Sequence, residues 1–221
     1  MPTPWMDAVK RTKQLTVFPT ARVAQGPWGA IFTQAMQEFN RISAEMNIGV
    51  TLVRSDDPPE ANGFGGANVS FDVGNGAMNF TVLGNDLSVS VAGSSMHGHT
   101  QLAKSPNART SSLEVIKAFT FVPATPMLYA GPPRRPVRRG AGNGIKLVIA
   151  VHELVHACGL SNADHSPGAE PDIFIGQPQP VPGSRPEDDK LLLRIVAPNN
   201  IFAPPNFLTG RTAGLIRTNW S

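Results

Sequence analysis

The chain has 221 residues, of which 41% are hydrophobic, and a formal net charge of +3 at pH 7. This length and composition predict one domain with a sizeable core, and so small a charge gives no reason to expect a nucleic-acid partner. The single cysteine, Cys158, excludes an intrachain disulfide framework, and no apolar run approaches the ~20 residues of a membrane span.

The amino-terminal part of the sequence predicts strands around one long helix. Leu15–Phe18 has the pattern of a short strand, which Pro19 ends. Apolar residues at helical spacing then predict an amphipathic helix over residues 27–47, and Val50–Arg54 is the next predicted strand. Further short strands are predicted at residues 67–73, 79–82, 88–91, 96–102 and 116–122.

Two groups of polar residues in this part have more than one interpretation. Asp56 and Asp57 are predicted to form a solvated acidic turn, with a structural Ca²⁺ site as the alternative. His97 and His99 share one face of the predicted strand 96–102, because side chains alternate along a strand. They are interpreted as an exposed strand edge, and a second metal site or a contact with substrate is the alternative.

Residues 123–144 are rich in Pro and Gly and connect the last predicted strand to the next helix. The arginines of this connection are predicted to be solvated, with recognition of acidic substrate residues as the alternative. They are Arg134, Arg135, Arg138 and Arg139.

Residues 152–156 read His-Glu-Leu-Val-His and carry the most specific chemical signal of the chain. On a helix, His152 and His156 project from the same face one turn apart, so their imidazoles can share one small cation. Glu153 lies at the edge of that face, where it can reach a water on the metal without binding the metal itself. Two His ligands with a carboxylate general base are the arrangement of zinc hydrolases.

The residues around this pentad fit a buried helix followed by a loop that carries a further ligand. Residues 145–151 are largely apolar, and Gly159 can end the helix in a left-handed turn. A catalytic zinc site needs three protein ligands and one open position. The third ligand is expected among Asn162, Asp164 and His165. Cys158 projects to a different helix face and is predicted to pack in the core.

The segment His152–His165 resembles the metzincin metallopeptidases, whose pattern is H-E-x-x-H-x-x-G-x-x-H/D, and is most similar to the matrixins. Gly159-Leu160 match the family's pattern, and Asp164-His165-Ser166 are similar to its D-H-S with extra residues before them. By the family's spacing the third ligand would fall on Asn162. Because a neutral amide is a weak zinc ligand, the resemblance implies His165 instead, on a longer loop, with Asp164 as the next candidate.

The resemblance implies a fold and an activity. The implied fold is α+β, with a twisted mixed sheet, a long backing helix, an active-site helix and an irregular C-terminal part that ends in a helix. It implies a single catalytic domain over residues 1–221, with an upper subdomain 1–159 and a lower subdomain 160–221. One Zn²⁺ is expected on His152, His156 and His165, with Glu153 as general base in the hydrolysis of protein or peptide substrates.

The C-terminal part departs from the family in one respect. The family carries a Met beneath the zinc, and this chain has no Met after Met127. Phe202 or Ala203, within Ile201–Pro205, is predicted to supply the apolar floor instead.

Two helices are predicted in this part. Glu187–Asp189 precede a cluster of Leu residues, as in the acidic first turn of a short helix. Thr209 is predicted to cap a final helix over Gly210–Asn219.

Two other functions are compatible with these residues. One is a zinc peptidase of another clan, with Glu170 or Glu187 as the third ligand. The other is a zinc-binding protein or interaction module without activity, against which the intact Glu153 argues, since a structural site needs no base. The segment Met1–Trp5 shows no signal peptide, and the sequence assigns no compartment, oligomeric state or cleavage preference.

Overall fold

Five strands form one central mixed sheet. A computed structural model describes residues 2–130, 137–165, 172–174, 177–178, 193–194, 201–202 and 208–221. The strands are β1 (Gln14–Pro19), β2 (Thr51–Arg54), β3 (Val69–Gly74), β4 (Gly76–Val82), β5 (Asn85–Val91), β6 (His99–Pro106), β7 (Leu113–Pro123), β8 (Met127–Ala130), β9 (Val137–Gly140), β10 (Gln177–Pro178), β11 (Leu193–Arg194) and β12 (Ile201–Phe202). The order in the central sheet is β2-β1-β3-β7-β6, and all neighbours are parallel except β6, which runs antiparallel to β7 at the edge.

Two helices cover one face of this sheet and build the main core. The helices are α1 (Asp7–Thr12), α2 (Ala21–Ala24), α3 (Gly29–Glu45), α4 (Asn143–Ala157) and α5 (Gly210–Trp220). Helix α3 buries an apolar stripe at helical spacing and ends before Asn47 and Gly49, whose φ angles of 50° and 85° cannot continue a helix. Helix α4 packs against α3 and against strands β6 and β7. Helix α3 therefore packs against both the sheet and helix α4.

The other face of the sheet is covered by the hairpin of β4 and β5. Side chains of β7 alternate between the two faces, so Ala118 and Val122 join the main core while Phe119 and Phe121 point toward the hairpin. Phe80 of β4 lies against both of those rings, with centroid distances of 4.5 and 6.1 Å. Strand β7 is thus buried on both sides. Strand β6 pairs with it at the edge of the sheet.

The predicted elements are confirmed for most of the described chain. The α+β class with a mixed sheet is confirmed, as are the long helix, the strands up to β7, the helix that carries His152 and His156, and the capped final helix. Within the described ranges no helix combines the length and the apolar character that crossing a membrane requires.

Four details differ from the prediction. Strand β6 begins at His99, so His97 precedes the strand instead of sharing its face. The Pro/Gly-rich connection contains a hairpin, β8 with β9, that its composition concealed. The short helices α1 and α2 were not predicted. Leu193 belongs to strand β11 and not to the short helix expected after Glu187, while residues 187–192 lie outside the described ranges.

Candidate metal centre

Helix α4 places two imidazoles side by side, as the sequence predicts. It is apolar almost throughout and lies deep in the core, so its register is fixed by packing. The rings of His152 and His156 lie one turn apart with centroids 4.9 Å from each other. The helix ends at Ala157, and Gly159 turns the chain away from it with a φ of 98°; a Cβ at residue 159 would stand 2.3 Å from both the Asn219 amide nitrogen and the Thr3 carbonyl oxygen. Only glycine fits this turn.

His165 joins the two helical histidines. A short 3₁₀ turn, Asn162–Asp164, follows α4 and delivers the His165 ring to within 5.1 Å of His152 and 4.8 Å of His156, measured between centroids. One ligand nitrogen from each of the three rings lies within 4.8 Å of the others. In the described part of the chain this is the group of side chains that could hold a metal ion.

The two alternative ligands do not join this group. The Asp164 carboxylate accepts hydrogen bonds from the Ser161 amide at 2.7 Å and the Ser161 hydroxyl at 2.9 Å, so it caps the 3₁₀ turn. Asn162 is exposed on the same turn. Glu170 and Glu187, the ligands expected of another zinc peptidase clan, lie outside the described residues.

The second nitrogen of each helical histidine is held by a backbone carbonyl. Nδ1 of His152 lies 2.9 Å from the Ile173 oxygen, and Nδ1 of His156 lies 3.0 Å from the Leu160 oxygen. A carbonyl only accepts, so both Nδ1 atoms carry the proton and both Nε2 atoms keep a free lone pair. Such an outer partner fixes the tautomer and orientation of metal-binding histidines.

The three rings fit a zinc ion in their chemistry and nearly in their spacing. Nε2 of His165 is buried and has no hydrogen-bond partner, which is costly for a polar atom unless a ligand occupies its lone pair. Nitrogens at about 2.0–2.1 Å from a tetrahedral zinc stand about 3.4 Å apart, whereas the ligand nitrogens here lie within 4.8 Å of one another, so the rings need to close by up to about 1.4 Å. Three neutral imidazoles with one open position are the donor set of a catalytic zinc site.

Burial keeps these imidazoles neutral. It lowers the pKa of His152 to about 4, against the weaker opposing effect of the Ile173 carbonyl. Burial also lowers the pKa of His156 well below its ordinary value, with a further contribution from the neighbouring His152. The pKa of His165 is lowered for the same first reason. Neutral imidazole is the form that binds metal, so the site needs no proton release at neutral pH.

Phe174 forms an apolar floor under all three rings. Its ring centroid lies 5.4 Å from His152, 4.8 Å from His156 and 4.4 Å from His165. The predicted floor was Phe202 or Ala203, of which the structure describes only the Phe202 backbone in β12. Phe174 was not predicted, because it lies in a Pro-rich stretch without periodicity. The two adjacent apolar residues Ile173 and Phe174 are the sequence signal that could have indicated it, and both are buried in the structure.

Glu153 follows His152 on α4, is buried and contacts the edge strand. The Thr100 hydroxyl lies 2.8 Å from Glu153 Oε2, 3.1 Å from the Glu153 backbone oxygen and 3.1 Å from the Thr120 hydroxyl. Gly98 leaves the room for this carboxyl group, since a Cβ at residue 98 would stand 2.6 Å from Glu153 Cγ. Burial raises the pKa of Glu153 to about 8, although the Thr100 hydrogen bond acts in the opposite direction.

Both ends of the chain hold the last turn of α4. Trp5 Nε1 donates to the Ala157 oxygen at 2.9 Å, and Trp220 Nε1 donates to the Cys158 oxygen at 3.1 Å. The Asn219 amide bridges the Cys158 and Thr3 oxygens at 3.0 and 2.9 Å. The carbonyls that a helix end leaves unpaired are therefore satisfied by buried side chains.

The remaining predicted residues lie around or away from this centre. Cys158 is fully buried, in agreement with the predicted core role, and burial raises the pKa of its thiol. His97 and His99 lie close enough to the three rings to affect their pKa values. Asp56 is exposed beside Arg54, as expected of a solvated turn.

The arginine connection is described only in part. Arg138 is exposed and donates to the Ser94 hydroxyl at 2.6 Å, which ties β9 to the segment before Gly98. Arg134 and Arg135 lie outside the described residues.

A scan against protein-family models, a search of curated proteins and a search of solved structures each found no match to this chain. The functional interpretation therefore depends on the residues and their geometry.

Proposed function

We propose that the protein is a zinc-dependent endopeptidase of metzincin type, with His152, His156 and His165 as metal ligands and Glu153 as general base. The observation that carries the proposal is the convergence of three neutral imidazoles, one with an unpaired buried Nε2, beside a buried carboxyl group. Bound zinc supplies a Lewis acid, which acidifies water at its open coordination position and polarises a carbonyl group.

The chain's own groups then have distinct tasks. Glu153 accepts the proton of the attacking water and passes it to the amine as the peptide C–N bond breaks, so that water adds across the bond. Burial raises the pKa of Glu153 in the metal-free protein, and the positive charge of a bound zinc ion would lower it again, so that the carboxyl group could both take and release a proton near neutral pH. Thr100 holds the carboxyl group in place, and Phe174 keeps the rings apart from solvent on one side.

A peptide substrate is favoured by the strand next to Glu153. Strand β6 is the edge of the central sheet, and Thr100 on it contacts the catalytic carboxyl group. An extended peptide can add to such an edge through main-chain hydrogen bonds. The antiparallel edge strand, the backing helix and the active-site helix also support the resemblance to metzincins.

The decisive experiment pairs zinc quantification with digestion of a peptide library. The wild-type protein is expected to bind one zinc ion and to cleave peptides until a chelator is added. Glu153→Gln and Glu153→Ala should keep the zinc and lose on the order of 10²–10⁴ in rate, the typical contribution of a general base. Glu45→Gln, a change of an exposed carboxylate on α3, is the matched control and should leave the rate unchanged.

Three outcomes would redirect the proposal. An active Glu153→Ala protein would refute the role of Glu153. A zinc-loaded wild-type protein that cleaves no peptide in the library would indicate a zinc-binding protein without activity. If His165→Ala keeps both zinc and activity, the third ligand lies elsewhere, and single replacements of Glu170 and Glu187 would then identify a peptidase of another clan.

A further inference from the structure

Asp172 is a fully buried carboxylate that joins two distant segments. Its Oδ2 accepts hydrogen bonds from the Thr209 amide at 2.8 Å, the Thr209 hydroxyl at 2.9 Å and the Thr212 hydroxyl at 2.6 Å. Its Oδ1 accepts from the Phe174 amide at 2.9 Å. The carboxylate thus fastens residues 172–174 to the first turn of α5, where the helix dipole also favours a negative charge.

The fastened segment contacts the metal centre at two points. The carbonyl of Ile173, between the two hydrogen-bonded residues, accepts from His152 Nδ1. The ring of Phe174 lies under all three imidazoles. If this segment moved, the Ile173 carbonyl that fixes the His152 tautomer and the Phe174 ring would move together.

Helix α5 holds the centre at its other end as well. Trp220 and Asn219, in its last turn, donate to the Cys158 oxygen just beyond the helix that carries His152 and His156. Helix α5 thus contacts both parts of the candidate metal centre. Its first turn binds Asp172, and its last turn binds the end of α4.

Only a carboxylate satisfies this arrangement. An ionised carboxylate accepts at both oxygens and donates nothing, which matches the four described donors that point at it. Asparagine has the same shape but would turn an NH₂ group toward either the Phe174 amide or the Thr209 and Thr212 donors. A buried donor facing another donor is unfavourable, so the segment would have to move.

We propose that Asp172 is a positioning residue of the metal centre, which orients the His152 ring and the Phe174 floor by fixing residues 172–174 to helix α5. The proposal deepens the proposed function and rests on it for the identity of the metal. Asp172 itself contacts neither metal nor substrate.

Three measurements on Asp172→Asn test this role. Zinc affinity, from competition with a chromophoric chelator, should fall by up to about 10–100-fold, the loss that follows when a metal ligand loses its outer partner, because the Ile173 carbonyl would move away from His152. The visible absorption bands of the Co²⁺-substituted protein should shift, because the ligand geometry changes. In the metal-free protein, ¹⁵N NMR of the histidine rings should show His152 leaving the single Nδ1–H tautomer for a mixture. A folded Asp172→Asn protein with all three readouts unchanged would overturn the proposal.

A second pair of variants covers the case in which Asp172→Asn does not fold. Thr212→Val keeps the shape of the side chain and removes one donor to Oδ2, whereas Thr212→Ser keeps the donor. We expect Thr212→Val to shift the three readouts in the same direction by a smaller amount, and Thr212→Ser to restore the wild-type values. Identical behaviour of the two variants would contradict the positioning role.

Asp72→Asn is the matched control. Asp72 also accepts from a threonine hydroxyl and a backbone amide, those of Thr20 and Val73, but on β3 and without a contact to the three histidines among the described residues. Asp72→Asn should lower the stability of the fold but leave zinc affinity, the Co²⁺ absorption bands and the His152 tautomer unchanged. If these readouts change as much as in Asp172→Asn, the proposal is overturned.

The tautomer measurement needs no metal. If the wild-type protein binds zinc and cleaves peptides while Asp172→Asn is unchanged, only this inference fails; a wild type that binds no zinc defeats the proposed function instead.

Discussion

The candidate metal centre consists of two halves that are built in different ways. The helix half, made of His152, Glu153 and His156, lies within five consecutive residues, and helical pitch alone sets its geometry. The loop half is made of His165 and Asp172–Phe174, which lie outside the α-helices and strands of the described residues. A short 3₁₀ turn delivers His165, and side-chain hydrogen bonds to α5 hold Asp172–Phe174. The helix half is thus organised by local structure, whereas residues 172–174 of the loop half depend on tertiary contacts with α5. Changes at the first turn of α5 should therefore disturb the loop half first.

The largest expected effect comes from removing one ligand of each half. His156→Ala and His165→Ala should both weaken zinc binding by at least about 100-fold, more than the loss of an outer partner costs. Their effects on the metal-free protein should differ. His156→Ala leaves the buried Leu160 oxygen unpaired, at a cost on the order of 1–3 kcal/mol, whereas His165→Ala removes a nitrogen that already lacks a partner. Competition with a chelator measures the zinc affinity, and urea unfolding in the presence of a chelator measures the stability of the metal-free protein. Equal losses of stability would contradict the distinction between the halves.

The next effect concerns the floor that links the halves. Phe174 is buried and packs on rings from both of them, so Phe174→Ala should lower the free energy of unfolding by about 3–5 kcal/mol. Phe174→Met is the matched variant, because a flexible apolar side chain can refill the space and a Met occupies this place in the family that the sequence resembles. We expect the Met variant to keep most of the stability and the zinc affinity. Urea unfolding and zinc titration decide; a Met variant no better than the Ala variant would show that the floor needs an aromatic ring.

The same division explains what could be predicted from the sequence. The helix half follows from the spacing of His152 and His156, and the end of α4 from Gly159, because both signals are local. The cap that Thr209 forms at the start of α5 was predicted for the same reason, because it is also a local signal.

The contacts that were missed all join residues far apart in the chain. Thr100 meets Glu153 across 53 positions, and Asp172 meets Thr209 across 37. No periodicity links such pairs, and a single sequence offers no covariation that could. His165 was predicted from its chemistry, since imidazole is a better zinc ligand than the amide that the family's spacing selects, and the structure places its ring beside the other two.

The smallest expected effect is a pH dependence that the buried titratable groups of both halves give to the metal-free protein. The pKa of His152 is lowered to about 4, so the unfolded state takes up its proton first and stability falls as the pH drops below about 6.5. His156 and His165, with pKa values lowered in the same direction, add to this loss. Glu153 acts in the opposite sense. Its pKa is raised to about 8, so the folded state keeps a proton that the unfolded state has released, and this contribution is lost as the pH rises toward 8.

Glu153→Gln isolates that second contribution. The difference in free energy of unfolding between wild type and variant should change by up to about 2 kcal/mol between pH 6.5 and pH 8, to the disadvantage of the wild type, because one proton per molecule corresponds to about 1.4 kcal/mol for each pH unit. All other groups are common to both proteins and cancel in the difference. Urea midpoints at pH 5.5, 6.5 and 8.0 in the presence of a chelator measure it. A difference that stays constant over this range would mean that Glu153 is already ionised in the folded, metal-free protein, and that its burial does not delay the loss of the proton.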